Sequence, residues 1–191
     1  MTTEVTLAVR RTAAGDQVAA ELVRSTGNEA IFVQPLELSD QRSVTRFVDR
    51  RTGPLHILVN NAGIMANPEL AYGQSKSADA LLAVEGTRRW SDQGIYANAV
   101  NPGAIATNLQ RHTGGLRTPE NRRKTPRQGA STSVLRAASP LPNGVGGRYF
   151  EDNNEARTVT RRPEDYTGVA WYALDPANAE RLWNTATDLL P

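Results

Sequence analysis

Short apolar runs alternate with amphipathic stretches through the first third of the chain. Val5 to Val9 (VTLAV) predicts a strand, followed at once by Arg10 and Arg11. From Thr12 to Thr26 the pattern turns helical, with Val18, Ala19, Leu22 and Val23 on one face and Gly27-Asn28 as its stop signal. Ala30 to Leu38 (AIFVQPLEL) predicts a second strand that frays at Pro35. Ser39 and Asp40 suit the N-cap of a helix carrying Val44, Phe47 and Val48, which Gly53-Pro54 closes. Leu55 to Val59 (LHILV) predicts a third, strongly apolar strand. Near-continuous apolar strands alternating with helices point to a parallel sheet covered on both faces.

Asn60 to Met65 (NNAGIM) follows, and the chain then reaches Tyr72 almost at once. A helix is expected from about Gly73 to Trp90, and a strand from Ile95 to Val100 that runs into Asn101-Pro102-Gly103. Residues 110–127 are polar and rich in Arg, Gly and Pro, a mobile surface segment by composition. A helix over Pro126 to Ala138, a short strand over Gly147 to Phe150 and a terminal amphipathic helix from Pro176 to Leu190 complete the pattern. No internal repeat interrupts it. The 191 residues are read as one domain with a single core.

Composition narrows the chemistry. Charged residues make up 22% of the chain and the net charge is only +2, too weak to argue for a nucleic-acid partner. The run Arg122, Arg123, Lys124 and Arg127 has no aromatic platform beside it and reads as a solvated loop. There is no cysteine, which excludes disulfides, thiolate metal sites and a cysteine nucleophile, and which fits a reducing cytoplasm. His56 and His112 are the only histidines, so no metal site and no Ser-His-Asp hydrolase is expected. No apolar run approaches the roughly 18 residues that a membrane helix needs.

Tyr72-Gly-Gln-Ser-Lys76 is the central chemical feature. Residues four apart share a helix face, so the lysine ammonium lies beside the tyrosine ring. An adjacent cation favours a phenolate, and the hydroxyl then exchanges a proton with a substrate carbonyl or alcohol. The pair is accompanied by Asn60-Asn61-Ala62-Gly63 after one apolar strand and by Asn101-Pro102-Gly103 with Thr107 after another. Ligands of α/β sheets bind beyond the carboxyl ends of strands, where all three motifs project.

The segments LHILVNNAGIM, AYGQSKSADALLAVE, GIYANAVNPGAIATNL and ALDPANAERLW resemble the short-chain dehydrogenase/reductase family, more narrowly its retinol-dehydrogenase-like branch. The resemblance implies a three-layer Rossmann-like α/β fold with a parallel sheet, truncated so that the first strand and a central helix-strand segment are absent. It implies hydride transfer between NADP(H) and a small apolar carbonyl or alcohol, with NAD as the other cofactor candidate. Tyr72 is then the general acid/base. Lys76 assists it and holds the nicotinamide ribose. Asn60, Ala62 and Gly63 border the adenosine side, and Pro102, Gly103 and Thr107 flank the nicotinamide. Arg10 and Arg11 follow the strand that ends in the family's ribose-selecting residue, and arginine there suits a 2′-phosphate. Glu37 stands where the family usually places an aspartate near the adenine.

Two family features are missing. The chain starts at what reads as the second strand, without the glycine-rich turn that brings a pyrophosphate to a helix N-terminus; Gly144-Val-Gly-Gly147 comes late and reads as a turn. Only eight residues separate Gly63 from Tyr72, too few for the helix and strand that carry the family's catalytic serine, since a βαβ unit takes about 30. Ser75 and Ser77 lie on the tyrosine's own helix and do not replace that serine. Loss of a central strand leaves backbone unpaired, and exposed strand edges favour self-association into a homo-oligomer. Three readings stay open: a reduced NADP-dependent oxidoreductase, a non-catalytic remnant or scaffold of the same fold, and a cofactor-free Tyr-Lys acid/base enzyme such as a dehydratase, isomerase or cyclase. The segment from Arg111 to Arg127 is the expected substrate-side lid.

Overall fold

The computed structural model describes residues 3–63, 69–110, 114–141 and 143–190. They form an α/β protein of reduced Rossmann-like type, with five α-helices and small, chiefly parallel sheets. Two compact units are present, residues 1–58 and 59–191.

In the first unit β1 (Val5–Val9) and β2 (Ile31–Pro35) pair in parallel, Val5 opposite Ile31 and Val9 opposite Pro35. The helix α1 (Thr12–Thr26) crosses between them, as parallel strands require. It lies close to the sheet because Gly15 is buried: a Cβ there would come within 2.8 Å of both Val9 and Val33. Of the face expected from periodicity, Ala19 is buried, Leu22 and Val23 are half-buried and Val18 is exposed. Gly27 ends the helix in the left-handed conformation, at φ 71°, as its sequence signal predicts. Asp40 caps α2 (Gln41–Asp49), its side chain accepting from the Arg42 N–H at 3.0 Å.

The expected third strand is a correction. Residues 55–59 are in no sheet, and Leu55, Ile57, Leu58 and Val59 are 50–68% exposed. A strand exists only through a ladder partner, and among the described residues β1 and β2 pair with each other alone. The apolar run has the composition of a buried strand but no neighbour to bury it.

In the second unit α3 (Glu69–Trp90) is the long central helix. It packs against α5 (Pro176–Asp188) and approaches β3 (Ala99–Asn101) through small residues. Ala80, Ala83, Ala99, Val169 and Ala173 form the core cluster. Strand β3 pairs in parallel with β4 (Tyr149–Glu151), which turns through Asp152 and Asn153 into the antiparallel β5 (Asn154–Glu155). Those two turn residues have φ 49° and 63°, a conformation that Asp and Asn accept better than most side chains. A second pair, β6 (Thr158–Val159) with β7 (Val169–Ala170), frames a loop that bears on the site below. The expected helix over Pro126 to Ala138 is present as α4 (Pro126–Ala138), with a capping box between Thr125 and Gln128.

Buried Glu85 ties α3 together. Its side chain is 0% exposed, and it accepts from Arg88 at 2.6 and 2.8 Å and from Arg89 at 2.7 Å. Arg88 also reaches Glu180 on α5 at 3.3 Å. Beside this group Trp90 and Trp183 meet edge to face at 5.5 Å, and the Arg89 guanidinium lies over the Trp183 ring at 4.8 Å.

Candidate active site

Helix α3 carries Tyr72 and Lys76 on one face, as their spacing requires. The Lys76 ammonium lies 5.8 Å from the centre of the Tyr72 ring. It is also held by Asp79, one turn further on, at 2.8 Å, so its charge is shared between the ring and a carboxylate. Ser75 is committed elsewhere: its hydroxyl donates to the Tyr72 carbonyl at 2.7 Å, which removes it as a substitute for the family's serine. Among the described residues the Tyr72 hydroxyl has no hydrogen-bond partner, so it is available to a ligand.

Both side chains line an open cleft of about 890 Å³ within the second unit. Leu116, Val159, Pro163, Ala170 and Tyr172 supply apolar wall; Gln110, Arg117, Arg161 and Arg162 supply polar groups. Residues 115–118 of the polar segment therefore face this cleft on one side, and Arg123 donates to the carbonyls of Thr118 at 2.8 Å and Leu116 at 3.1 Å. Residues 111–113 of the expected lid lie outside the described residues.

The loop after β3 is built by its own sequence. The Asn101 side chain accepts from the Gly103 N–H at 2.9 Å, which sets the turn through Pro102. Gly103 has φ 84°, and a Cβ there would meet the Lys124 side chain at 2.9 Å. Lys124 in turn donates its backbone N–H to Ala104 at 2.8 Å and pairs its ammonium with Asp152 beyond the end of β4. Thr107 is tied to the cleft through Gln110, whose side-chain oxygen accepts from the Thr107 N–H at 3.1 Å.

Tyr149 is a neighbour that sequence reasoning missed. It lies opposite Ala99 in the β3–β4 ladder. Burial foremost, with Glu151 and the nearby Tyr72 adding to it, pushes its phenol up to about 12, while Asn101 acts in the opposite sense. Tyr149 therefore stays protonated at neutral pH.

The remaining expected residues are placed as follows. Asn60, Ala62 and Gly63 are exposed and lie outside any strand or helix, and a Cβ on Gly63 would meet nothing within 4 Å. Residues 64–68, including Met65 of the same motif, lie outside the described residues. In the first unit the Arg10 guanidinium comes within 3.8 Å of the Glu37 carboxylate at the ends of β1 and β2. Hydrogen bonds from the Ser39 N–H and hydroxyl hold the Glu37 carboxyl below its ordinary range, with Arg10 a smaller influence in the same direction. Arg11 precedes α1 without making a side-chain cap.

The fold and the cleft thus define an α/β protein with an available tyrosine hydroxyl backed by a lysine. Comparison with known proteins gives this class its family. The chain is 38% identical to a probable oxidoreductase of Streptomyces antibioticus, over 98% of this chain and 89% of the relative, and 37% identical to a probable oxidoreductase of Streptomyces lividans with the same coverage. It is 26% identical to human retinol dehydrogenase 11, over 97% of this chain and 77% of the relative. No family model and no solved structure matches. The chain belongs to the short-chain dehydrogenase/reductase family of oxidoreductases, in its retinol-dehydrogenase-like branch. The match to the Streptomyces antibioticus relative runs over 266 residues against a chain of 191, so the relative carries further residues inside the matched span. Among the described residues no helix is long and apolar enough to cross a membrane.

Proposed function

We propose that the chain is an NADP-dependent oxidoreductase that interconverts a carbonyl and an alcohol by hydride transfer. The observation that carries this reading is the joint exposure of Tyr72 and Lys76 in one cleft of a chain from this family. The family resemblance assigns residues of each compact unit to parts of a nicotinamide dinucleotide. Lys76 would hold the ribose hydroxyls beside the nicotinamide, and Arg10 and Arg11 would hold a 2′-phosphate. Pro102, Gly103 and Thr107 would flank the nicotinamide, and Asn60, Ala62 and Gly63 the adenosine. For the pyrophosphate the described residues offer no glycine cradle, because Gly15 in the first turn of α1 is occupied by packing on Val9 and Val33.

A nicotinamide held beside Lys76 would supply the hydride in reduction and accept it in oxidation. Tyr72 donates its phenolic proton to the carbonyl oxygen and, in the reverse direction, takes it from the alcohol. The Lys76 ammonium steadies negative charge on the phenolate oxygen. The apolar wall of the cleft holds an apolar substrate body. The test is NADPH deuterated at C4 incubated with a panel of medium-chain aldehydes and ketones. Deuterium on the carbinol carbon of the product supports the reading, and its absence across the panel in a folded sample defeats it.

The NADP preference has its own test. Glu37 lies within reach of Arg10 and competes with a 2′-phosphate for the guanidinium. Removing that carboxylate leaves the guanidinium to the phosphate alone. Glu37→Gln is expected to tighten NADPH by about two- to fivefold by calorimetry and to leave NADH unchanged. Equal effects on both nucleotides would remove Arg10 from the site.

A further inference from the structure

Among the described residues the charged groups that line the cleft beside Tyr72 are Lys76, Arg117, Arg161 and Arg162, all of them basic. Lys76 is balanced by Asp79. Among the described residues neither Arg161 nor Arg162 is in an ion pair. The nearest carboxylates in sequence are Glu164 and Asp165; neither lines the cleft, and Asp165 is taken up by Arg157 at 3.1 Å and by the Thr167 N–H at 3.1 Å. The guanidiniums of Arg161 and Arg162 have a planar donor fork to offer an anion in this concave site.

A second, independent feature concerns the same loop. Tyr166 is one of the cleft-lining residues and has φ 59°, a backbone state that an aromatic side chain rarely takes. The turn is closed by the Tyr166 N–H donating to the Pro163 carbonyl at 3.1 Å. In this conformation the ring is stacked by the Arg162 guanidinium at 4.4 Å and faced by that of Arg122 at 5.2 Å. Arg122 is anchored by donating to the Asp165 carbonyl at 2.6 Å. Gly168 at the exit of the loop has φ 89°, and a Cβ there would come within 2.8 Å of the Arg157 carbonyl oxygen. The loop between β6 and β7 thus stacks Arg162 on a ring that lines the cleft.

We infer that this cleft binds an anionic amphiphile: an apolar chain whose carbonyl or alcohol lies at Tyr72 and whose terminal carboxylate or phosphate is held by Arg161 and Arg162. That the amphiphile is the substrate rests on the proposed function; that the cleft selects a negative headgroup on an apolar chain rests on the lining alone. The anion belongs to the substrate and not to the dinucleotide, because apolar wall from Leu116, Val159 and Pro163 lines the same cleft as the arginines.

Calorimetric titration of the full chain with decanoate, decyl phosphate and decanol tests this without any turnover. Decanoate or decyl phosphate is expected to bind at least tenfold more tightly than decanol, and the tighter of the two identifies the headgroup. The Arg161→Ala/Arg162→Ala variant is expected to lose that preference, while Arg161→Lys/Arg162→Lys, which keeps the charge, retains part of it. NADPH affinity is expected to stay within twofold in both variants. Equal binding of acid and alcohol, no binding of any of the three, or a preference that survives the alanine variant overturns the inference. So does a matching loss of NADPH affinity, which would assign the arginines to the dinucleotide. Arginine-dependent decanoate binding by a chain that transfers no deuterium would leave the anion site standing and remove the oxidoreductase reading.

Discussion

Tyr72→Phe is expected to lower kcat by about 10²–10⁴-fold, the usual worth of a positioned proton donor, while NADPH affinity changes by less than twofold. The substitution removes one oxygen and keeps the ring over which Lys76 sits at 5.8 Å. Among the described residues that oxygen has no hydrogen-bond partner, so the fold loses nothing measurable and Tm should move by no more than about 2 °C. The neighbouring Tyr149 cannot take over the role near neutral pH, since its phenol is pushed up to about 12 by burial. Steady-state rates on any carbonyl that wild type reduces, with a thermal melt as control, check the expectation. Full activity in the phenylalanine variant would make the tyrosine a structural residue and the cleft a binding site alone.

The largest expected effect on stability lies at Glu85. Truncating a fully buried carboxylate shared by two arginines leaves Arg89 without its carboxylate and Arg88 with Glu180 alone. Loss of one member of a buried pair costs about 3–5 kcal/mol, and the partial exposure of Arg88 and Arg89 lets water recover some of it. Glu85→Ala is therefore expected to cost about 2 kcal/mol and to lower Tm by about 4–8 °C, with Glu85→Gln in between. The hydrogen bond from Arg88 holds the Glu85 carboxyl below its ordinary value of 4.5, against the opposing effect of burial. A depressed folded value means that its stabilisation is complete above about pH 4.5 and is lost as pH falls through the lower folded value. The melting difference between wild type and Glu85→Gln should accordingly shrink on strong acidification. A Tm for Glu85→Ala equal to wild type would contradict the account of how α3 is held.

Much of this molecule is legible residue by residue, and the failures share one cause. Helices carry their signals locally: Gly27 stops α1 and Asp40 starts α2 where the sequence places them. The Tyr72–Lys76 spacing reads directly as a shared face. Leu55 to Val59 reads as a strand because composition reports the demand for burial, whereas a ladder depends on a neighbour that pattern does not report. Tyr149 comes beside the site only through its register with Ala99, a pairing across fifty positions of chain that no local motif encodes. The same holds for Arg161, Arg162 and Tyr166, which periodicity leaves as undistinguished loop. Asp79 is different: its spacing of three from Lys76 lies within reach of simple helix geometry and marks the lysine as a shared charge.

Dinucleotide binding is central to the proposed function: Tyr72 and Lys76 line the cleft, while the described residues provide no glycine cradle for a pyrophosphate. Calorimetric titration of the wild-type chain with NADPH, on a sample shown by circular dichroism to be folded, addresses it most directly. The account predicts saturable one-site binding that weakens as salt rises, because a phosphate held by Arg10 and Arg11 is screened. A folded sample that takes up no NADPH would contradict it, and the chain would then be a non-catalytic relative or a cofactor-free acid/base enzyme built on the same tyrosine and lysine.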